Sequence, residues 1–148
     1  MKAITVDAWW AWGLASGLKR VENRRWRSAH RGLLAIHAGG NRAPLVKGWE
    51  AMELPTGEKC GDAYVFGAVV AVVDLIDCVD LDTLPDAYRK APVDYFDPCG
   101  PVCWCLANAR RLARPVACKG AQKLWTLPAD VLRAVEEQLA AGAVMVTK

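Results

Sequence analysis

A group of polar side chains suited to binding a nucleotide lies in residues 17–26. If residues 21–26 form a strand, Glu22, Arg24 and Trp26 share one face, with neighbours about 7 Å apart. Lys19 enters from the preceding turn. Cations suit phosphate, a carboxylate accepts hydrogen bonds from a base or sugar, and an indole stacks on a base. The alternative is a Glu22–Arg24 surface pair with Trp26 packed inside the protein.

The elements before this segment explain how it would be positioned. A strand is predicted at residues 3–6 and a buried apolar helix at residues 8–16, with Asp7 as the N-cap. Gly17 follows at the position where a left-handed residue commonly ends a helix. The end of the helix would therefore bring Lys19 close to the strand that carries Glu22 and Arg24.

The rest of the chain combines short strands with a few helices. Residues 65–79 are β-branched and apolar on both faces, which is typical of a central strand. Pro128 begins a helix with one apolar face that ends near Gly142. Further strands are predicted at residues 33–38, 102–106, 113–118 and 143–147, and further helices at residues 41–54 and 84–89. Five to seven strands without regular βαβ alternation predict an α+β fold, built as a small barrel or twisted sheet.

Length and composition limit the class of protein. The chain has 148 residues, of which 53% are hydrophobic and 24% charged, and this predicts one globular domain over residues 1–148. No apolar run has the length of a transmembrane helix, and the N-terminus lacks the pattern of a secretory signal. We therefore expect a cytoplasmic protein whose six cysteines are free thiols, with no metal site and no cofactor.

Charge is distributed unevenly along the chain, although the net charge is only +3. Residues 19–31 carry six cations and residues 110–123 carry five, whereas residues 74–97 hold seven aspartates. The two basic stretches predict one basic face for nucleic acid, provided that the fold joins them, and an affinity that falls as salt rises. The alternative is that these charges are only solvated.

The motif G-x-K-x-x-E-x-R, formed here by Gly17, Lys19, Glu22 and Arg24, resembles the core motif of ASCH domains. These domains are named for the activating signal cointegrator homology region. The resemblance extends over residues 4–38 and again over residues 102–127, and it is weakest at residues 41–62 and 80–100. Further matches are Arg31-Gly32, Ile36-His37-Ala38, Pro115-Val116, Gly120 and Leu124-Trp125.

The resemblance implies a small PUA-like β-barrel with peripheral helices and a cleft associated with RNA. Lys19, Glu22 and Arg24 would line this cleft. Many members carry Gln-Pro-Trp ahead of the helix, whereas this sequence has Ala8-Trp9-Trp10, which keeps the tryptophan and loses the glutamine. The residues predicted to bind nucleic acid are Trp10, Lys19, Glu22, Arg24, Trp26, Arg114 and Lys119.

Two activities associated with the family are alternatives to binding alone. One branch is similar to amidohydrolases of acetylated cytidine, whose pattern has Thr at the position of Glu22 and a separate later Glu. No glutamate occurs between Glu58 and Glu136, which disfavours this activity. Other members are described as ribonucleases, in which Lys19 would stabilise charge on phosphate while Glu22 or His37 moves the proton. A lone strand histidine such as His37 is more often structural.

These observations predict a nucleic-acid-binding protein, with RNA as the partner and DNA or a free nucleotide as alternatives. An enzyme of the same fold, either a ribonuclease or a hydrolase of a modified nucleoside, is the second hypothesis. A protein-interaction module is the third, and the basic stretches favour the first two hypotheses over it. The sequence predicts no membrane partner and leaves the oligomeric state open.

Overall fold

A seven-stranded mixed sheet forms the centre of the fold in the computed structural model, which describes residues 1–142 and the backbone of residues 144–145. The strands are β1 (Lys2–Val6), β2 (Val21–Arg24), β3 (Gly32–Ala38), β4 (Ala68–Asp80), β5 (Val102–Ala117), β6 (Trp125–Thr126) and β7 (Val144–Met145). The α-helices are α1 (Ala8–Ala15), α2 (Cys60–Ala63) and α3 (Ala129–Ala140). None of the helices in the described residues has the length and hydropathy needed to cross a membrane.

The strands follow the order β2-β5-β4-β3-β1-β6. The β1–β3 pair is parallel, and the other pairs are antiparallel. The long strand β5 has β4 along one edge, while β2 pairs with the first half of its other edge and β7 with the second half. The predicted α+β fold with five to seven strands is confirmed. The barrel stays open, because no pairing joins β2 to β6 in the part of the chain described.

The continuous apolar run of β4 is explained by helices on both faces of the sheet. Val70 and Val73 belong to a core cluster that includes Leu14 of α1. Val69 and Val72 belong to a second cluster, which includes Val131 and Val135 of α3. A strand covered on both faces buries apolar side chains on both, so the alternation of polar and apolar residues is lost.

The helix predicted at residues 41–54 is wrong. This segment forms turns with one 3-10 turn at Trp49–Ala51. The Asn41 side chain accepts a hydrogen bond from the Ala43 amide at 3.1 Å, which favours a turn, and Pro44 has no amide hydrogen for a helix. Most of these residues are exposed, so no apolar face is buried to stabilise a helix.

Other predicted elements have different limits in the structure. The helix at residues 84–89 is reduced to a 3-10 turn, Asp86–Tyr88. The strands at 102–106 and 113–118 are parts of the single strand β5, and Pro115 lies where the β4–β5 pairing is interrupted between Val116 and Arg111, so its missing amide hydrogen is tolerated. The strand predicted at 21–26 ends at Arg24. Of the strand predicted at 143–147, residues 143, 146 and 147 lie outside the described residues.

The six cysteines are free thiols, as the sequence predicts. Two of them, Cys103 and Cys105, lie buried in β5. Burial raises the pKa of the Cys105 thiol to about 11 and also raises the pKa of Cys103. Both side chains therefore act as small apolar groups that fill the core at neutral pH.

Candidate nucleic-acid interface

The turn after α1 brings the motif residues together. Gly17 has a φ of 74°, the left-handed conformation that suits glycine at a helix end, and the Lys19 amide donates to the Gly13 carbonyl at 2.9 Å. The chain then enters β2, where Glu22 lies opposite Trp104 and Arg24 opposite Val102 of β5. Antiparallel pairing thus fixes the direction in which the Glu22 and Arg24 side chains project.

The Glu22 carboxylate joins two cations. Its Oε1 lies 3.4 Å from the Lys19 ammonium, and its Oε2 lies 3.2 Å from Nη2 of Arg24. Lys19 and Glu22 are only 4% and 6% exposed, whereas the Arg24 side chain is 22% exposed. A buried charge is tolerated only when it is paired, so the carboxylate is held firmly between one hidden cation and one cation that faces solvent.

The Lys19 ammonium is saturated with protein contacts. It donates to the Val21 carbonyl, pairs with Glu22 and lies over the Trp10 ring, 5.4 Å from the ring centroid. It lines neither of the two pockets described below. The structure therefore places Lys19 behind the carboxylate, where it orients Glu22, and not at the mouth of a cleft.

Two neighbouring cavities meet at Arg24 and Thr5, which line both of them. The first, called the acidic pocket here, has a volume of about 280 Å³ and is also lined by Val6, Asp7, Trp10, Glu22 and Asn23. The second, called the glycine pocket, has a volume of about 560 Å³ and is also lined by Trp26, His37, Gly39, Gly40, Gly120, Ala121, Gln122 and Lys123. Acceptors are thus concentrated on one side of Arg24 and cations on the other.

Arg24 retains a donor for a ligand. Its Nη2 donates to the Thr5 carbonyl and to Glu22, each at 3.2 Å. Its Nε is buried and has no hydrogen-bond partner within the part of the chain that the structure describes. An unpaired buried donor costs about 1–3 kcal/mol of stability, so an anion beside Arg24 would recover this energy.

His37 has hydrogen bonds at both ring nitrogens. Nε2 donates to the Cys118 carbonyl at 2.8 Å, because a carbonyl only accepts. Nδ1 then accepts from the Thr5 hydroxyl at 3.3 Å, and this hydroxyl accepts from the Trp125 indole at 3.2 Å. With 2% exposure, His37 ties the Cys118–Gly120 loop to the sheet, which favours the structural interpretation over proton transfer.

A comparison with known protein families identifies the family of the chain. The model of the ASCH domain matches residues 4–116, which is well over half of the 148 residues. The chain belongs to the ASCH family. The resemblance inferred from Gly17, Lys19, Glu22 and Arg24 is thereby confirmed.

This ASCH chain is also similar to individual relatives and to solved structures. It is 27% identical over 146 residues to Activating signal cointegrator 1 of Mus musculus, and 26% identical over 148 residues to the same protein of Homo sapiens. These matches cover 88% and 92% of the chain but only 23% and 24% of the relatives, so the chain spans about a quarter of their length. Crystal structures of ASCH from Zymomonas mobilis and of its tyrosine-to-phenylalanine mutant share the fold, with a TM-score of 0.55 and 18% identity. The matched regions cover 92% of this chain, 93% of the chain of Zymomonas mobilis ASCH and 96% of the chain of its mutant.

Not every residue predicted for this ASCH site is near the pockets. Trp26 lies beyond β2, packs edge-on against Trp104 at 4.8 Å, and still lines the glycine pocket. Lys119 is exposed beside Gly120 without lining that pocket. Arg114 lies away from both pockets, because its backbone is hydrogen-bonded to Gln138 of α3.

The structure adds site residues that sequence reasoning did not select. Lys123 lines the glycine pocket, and Thr5, Asp7 and Asn23 line the acidic pocket. Lys123 belongs to the basic stretch at residues 110–123, so the density of positive charge was the one sequence signal for this residue. No sequence pattern marked Thr5, and Asp7 was expected only as the N-cap of the first helix, where its side chain makes no capping hydrogen bond. Both residues reach the site through β1 and its connection to α1.

The basic face expected from residues 19–31 and 110–123 loses part of its charge to ion pairs in both stretches. The aspartates of β4 form the pairs Arg27–Asp80 and Arg31–Asp77 with the first stretch and the pair Arg110–Asp74 with the second. The Arg20 guanidinium donates to the carbonyls of Ala87 and Lys90. Within the described residues, the cations without an ion pair are Arg20, Arg25, Arg42, Lys47, Arg111, Arg114, Lys119, Lys123, Arg133 and Lys2.

Proposed function

We propose that this ASCH chain binds single-stranded RNA, with one nucleotide held across Arg24. The observation that carries the proposal is the placement of Arg24 between the acidic pocket and the glycine pocket, with its buried Nε unpaired. A guanidinium with a free donor fits a phosphate oxygen, and the two pockets differ in the chemistry that they offer on either side of that phosphate.

The glycine pocket suits the phosphate and the base. Arg24 and Lys123 supply positive charge, and the glycines at its walls leave the backbone free of side chains. The Trp26 ring, partly exposed in the same pocket, is available for stacking on a base. Trp10 is less suitable, because Tyr95 already stacks on its ring at 5.1 Å and the Lys19 ammonium lies over it.

The acidic pocket suits the ribose. The carboxylates of Glu22 and Asp7 line it, and a carboxylate accepts hydrogen bonds from hydroxyl groups. The 2′-hydroxyl is the group that distinguishes RNA from DNA at a given site. This chemistry supports RNA over DNA as the partner, and it leaves a free ribonucleotide as the smallest ligand of the site.

Arg24 variants test the proposal in a binding titration. Fluorescence anisotropy with a labelled single-stranded RNA should show at least a tenfold loss of affinity for Arg24→Ala, since a charge-assisted phosphate contact is lost. Arg24→Lys, which keeps the charge but loses the planar fork, should be intermediate. Arg133→Ala removes an exposed cation of α3 and should bind normally.

Two results would contradict the proposal. The first is failure of the wild-type protein to bind the RNA at low salt. The second is binding of the RNA by Arg24→Ala as tightly as by the wild type. Gel analysis of the same samples checks for cleavage, and we expect the RNA to stay intact, because Lys19 is buried behind Glu22 and both nitrogens of His37 are engaged.

A further inference from the structure

A third cavity, called the aromatic pocket here, lies beside α1 and away from the motif. It has a volume of about 520 Å³, within the range of pockets that hold small ligands. Residues 44–55, 60–64 and 93–96 form most of its wall. Its rings are Trp9, Trp12, Trp49, Tyr64, Tyr95 and Phe96.

One buried donor in this wall lacks a partner. Trp12 is 4% exposed, and its indole Nε1 makes no hydrogen bond to any of the described residues. Trp12 also borders a smaller cavity of about 210 Å³, which is below the usual size for a ligand. Because an unpaired buried donor is unfavourable, the indole points to a ligand with a hydrogen-bond acceptor, and the aromatic pocket is the cavity with room for one.

The charge of the lining narrows the class of ligand. Among the described lining residues, Glu53 is the one carboxylate, and none is a lysine or an arginine. Lys59, which does not line the pocket, lies 3.5 Å from Oε2 of Glu53. A phosphate would therefore find no cation in the described wall of the pocket, and a pure hydrocarbon would leave the Trp12 indole unpaired. A flat heterocycle with an acceptor and an N–H donor fits the rings, the indole and the carboxylate together, and a nucleobase is such a heterocycle.

One pair of stacked rings links the aromatic pocket to the acidic pocket. Trp10 lines the acidic pocket, Tyr95 lines the aromatic pocket, and their rings stack at 5.1 Å with an interplanar angle of 16°. Tyr95 is 65% exposed and Met52 is 52% exposed, so the aromatic pocket opens to solvent. The acidic pocket, which Arg24 also lines, is therefore separated from the aromatic pocket by one pair of stacked rings.

We propose that the aromatic pocket takes a second, unstacked base of the same RNA strand. The inference rests on the proposed function, since the strand at Arg24 brings the base to the pocket. It adds a base-binding position formed by the connecting segments, in which Trp12 donates to the base, Glu53 accepts from it and the aromatic side chains stack on it.

An abasic scan tests this inference. The probe is a short single-stranded RNA, together with the same oligomer carrying an abasic residue at each position in turn. Base stacking on an aromatic side chain contributes about tenfold or more to affinity for each base. We therefore expect two sensitive positions, one for each base site, with about a tenfold loss of affinity at each. A single sensitive position, or none, would overturn the inference.

Variants assign the second position to the aromatic pocket. Met52→Trp fills the pocket from its exposed rim, and Trp12→Phe removes the indole donor while keeping a ring. Each should cost about tenfold in affinity for the intact oligomer and nothing for the oligomer that is abasic at the second position. Ile76→Trp is the matched control, because Ile76 is 50% exposed on β4 and does not line the pocket.

The two proposals fail in different ways. If the wild-type protein binds no RNA, or if Arg24→Ala binds normally, the proposed function is wrong and the inference loses its basis. If Arg24→Ala binds weakly while Met52→Trp and Trp12→Phe bind the intact oligomer as the wild type does, the proposed function stands and the aromatic pocket is not a base site. A loss for Met52→Trp that persists with every abasic oligomer would also overturn the inference.

Discussion

At the scale of single residues, Glu22 is the side chain whose role depends most on its surroundings. It is almost fully buried between Lys19 and Arg24, yet it lines the acidic pocket beside Asp7. Lys19 holds one carboxylate oxygen from behind, and Arg24 holds the other at the edge of both pockets. The carboxylate is thus preorganised to accept hydrogen bonds, and little side-chain entropy is lost when a ligand arrives.

We expect Glu22→Gln to weaken RNA binding about tenfold and to leave DNA binding nearly unchanged. The reason is that a charged acceptor for the 2′-hydroxyl is replaced by a neutral amide. The measurement is the ratio of the two affinities, which does not change when part of the sample unfolds. Asp7→Asn is a second variant, on a less buried residue, and should lower the same ratio.

Other outcomes for Glu22→Gln would assign a different role. Intact binding with lost RNA cleavage would identify Glu22 as a general base. An unchanged ratio with a lower melting temperature would mean that Glu22 only balances the two cations. Some destabilisation is expected in any case, because removing one partner of a buried ion pair costs about 3–5 kcal/mol.

At the scale of elements, the loop after β5 is positioned by contact with the sheet. His37 of β3 bonds the Cys118 carbonyl, and the Gly120 backbone packs against the His37 ring and Thr5. A Cβ built on Gly120 would lie 2.7 Å from the His37 ring and from Oγ1 of Thr5, too close for any other residue. This contact holds the 120–123 wall of the glycine pocket beside Arg24.

Gly120→Ala is expected to destabilise the protein by about 1–3 kcal/mol, because overpacking forces the loop away from His37. Urea unfolding measures the change, and RNA affinity should fall with it as Lys123 moves. Gly40→Ala is the control, since no atom lies within 4 Å of a Cβ built there. Equal stability of the two variants would show that the loop is not fixed by this contact.

At the scale of the whole molecule, the aspartates of β4 lie against cations of both basic stretches. Arg27, Arg31 and Arg110 form ion pairs with its aspartates, so much of the positive charge is neutralised within the protein. The positive charge that lines the pockets comes from Arg24 and Lys123. The net charge is only +3, and fewer cations of the two basic stretches are free to contact RNA than their number in the sequence indicates.

We expect RNA affinity to fall with salt less steeply than eleven phosphate contacts would require. For single strands the logarithmic slope is about 0.7 per contact, so Lys123→Ala should lower the slope by about that amount. Arg31→Ala and Arg114→Ala should leave it unchanged, because Arg31 pairs with Asp77 and Arg114 lies away from both pockets. Affinities measured over a range of salt concentrations check this, and a flat titration of the wild type would contradict it.

The local sequence determined the parts of the site that are close together in the chain. The period of two in a strand put Glu22 and Arg24 on one face, and the helix end at Gly17 brought Lys19 next to them. The β-branched, apolar run before Asp80 predicted a central strand, and the spacing of the motif predicted the family. These features depend on neighbours within a few residues, so one sequence is enough to reveal them. The single domain predicted for residues 1–148 stays a prediction.

The tertiary structure alone decided what each motif residue faces. Burial of Lys19 under Trp10, the hydrogen bonds of His37 to Thr5 and Cys118, and the separation of Arg114 from the pockets all depend on contacts between distant strands. The pairing of β4 with β3 and β5 set the aspartates against the basic stretches, which no count of charges reveals. Strand pairing joins residues far apart in sequence, and the choice of partner follows from burial and hydrogen bonding over the whole sheet. For that reason the sequence predicted which residue types could bind a nucleotide, and the fold determined which of these residues line a pocket.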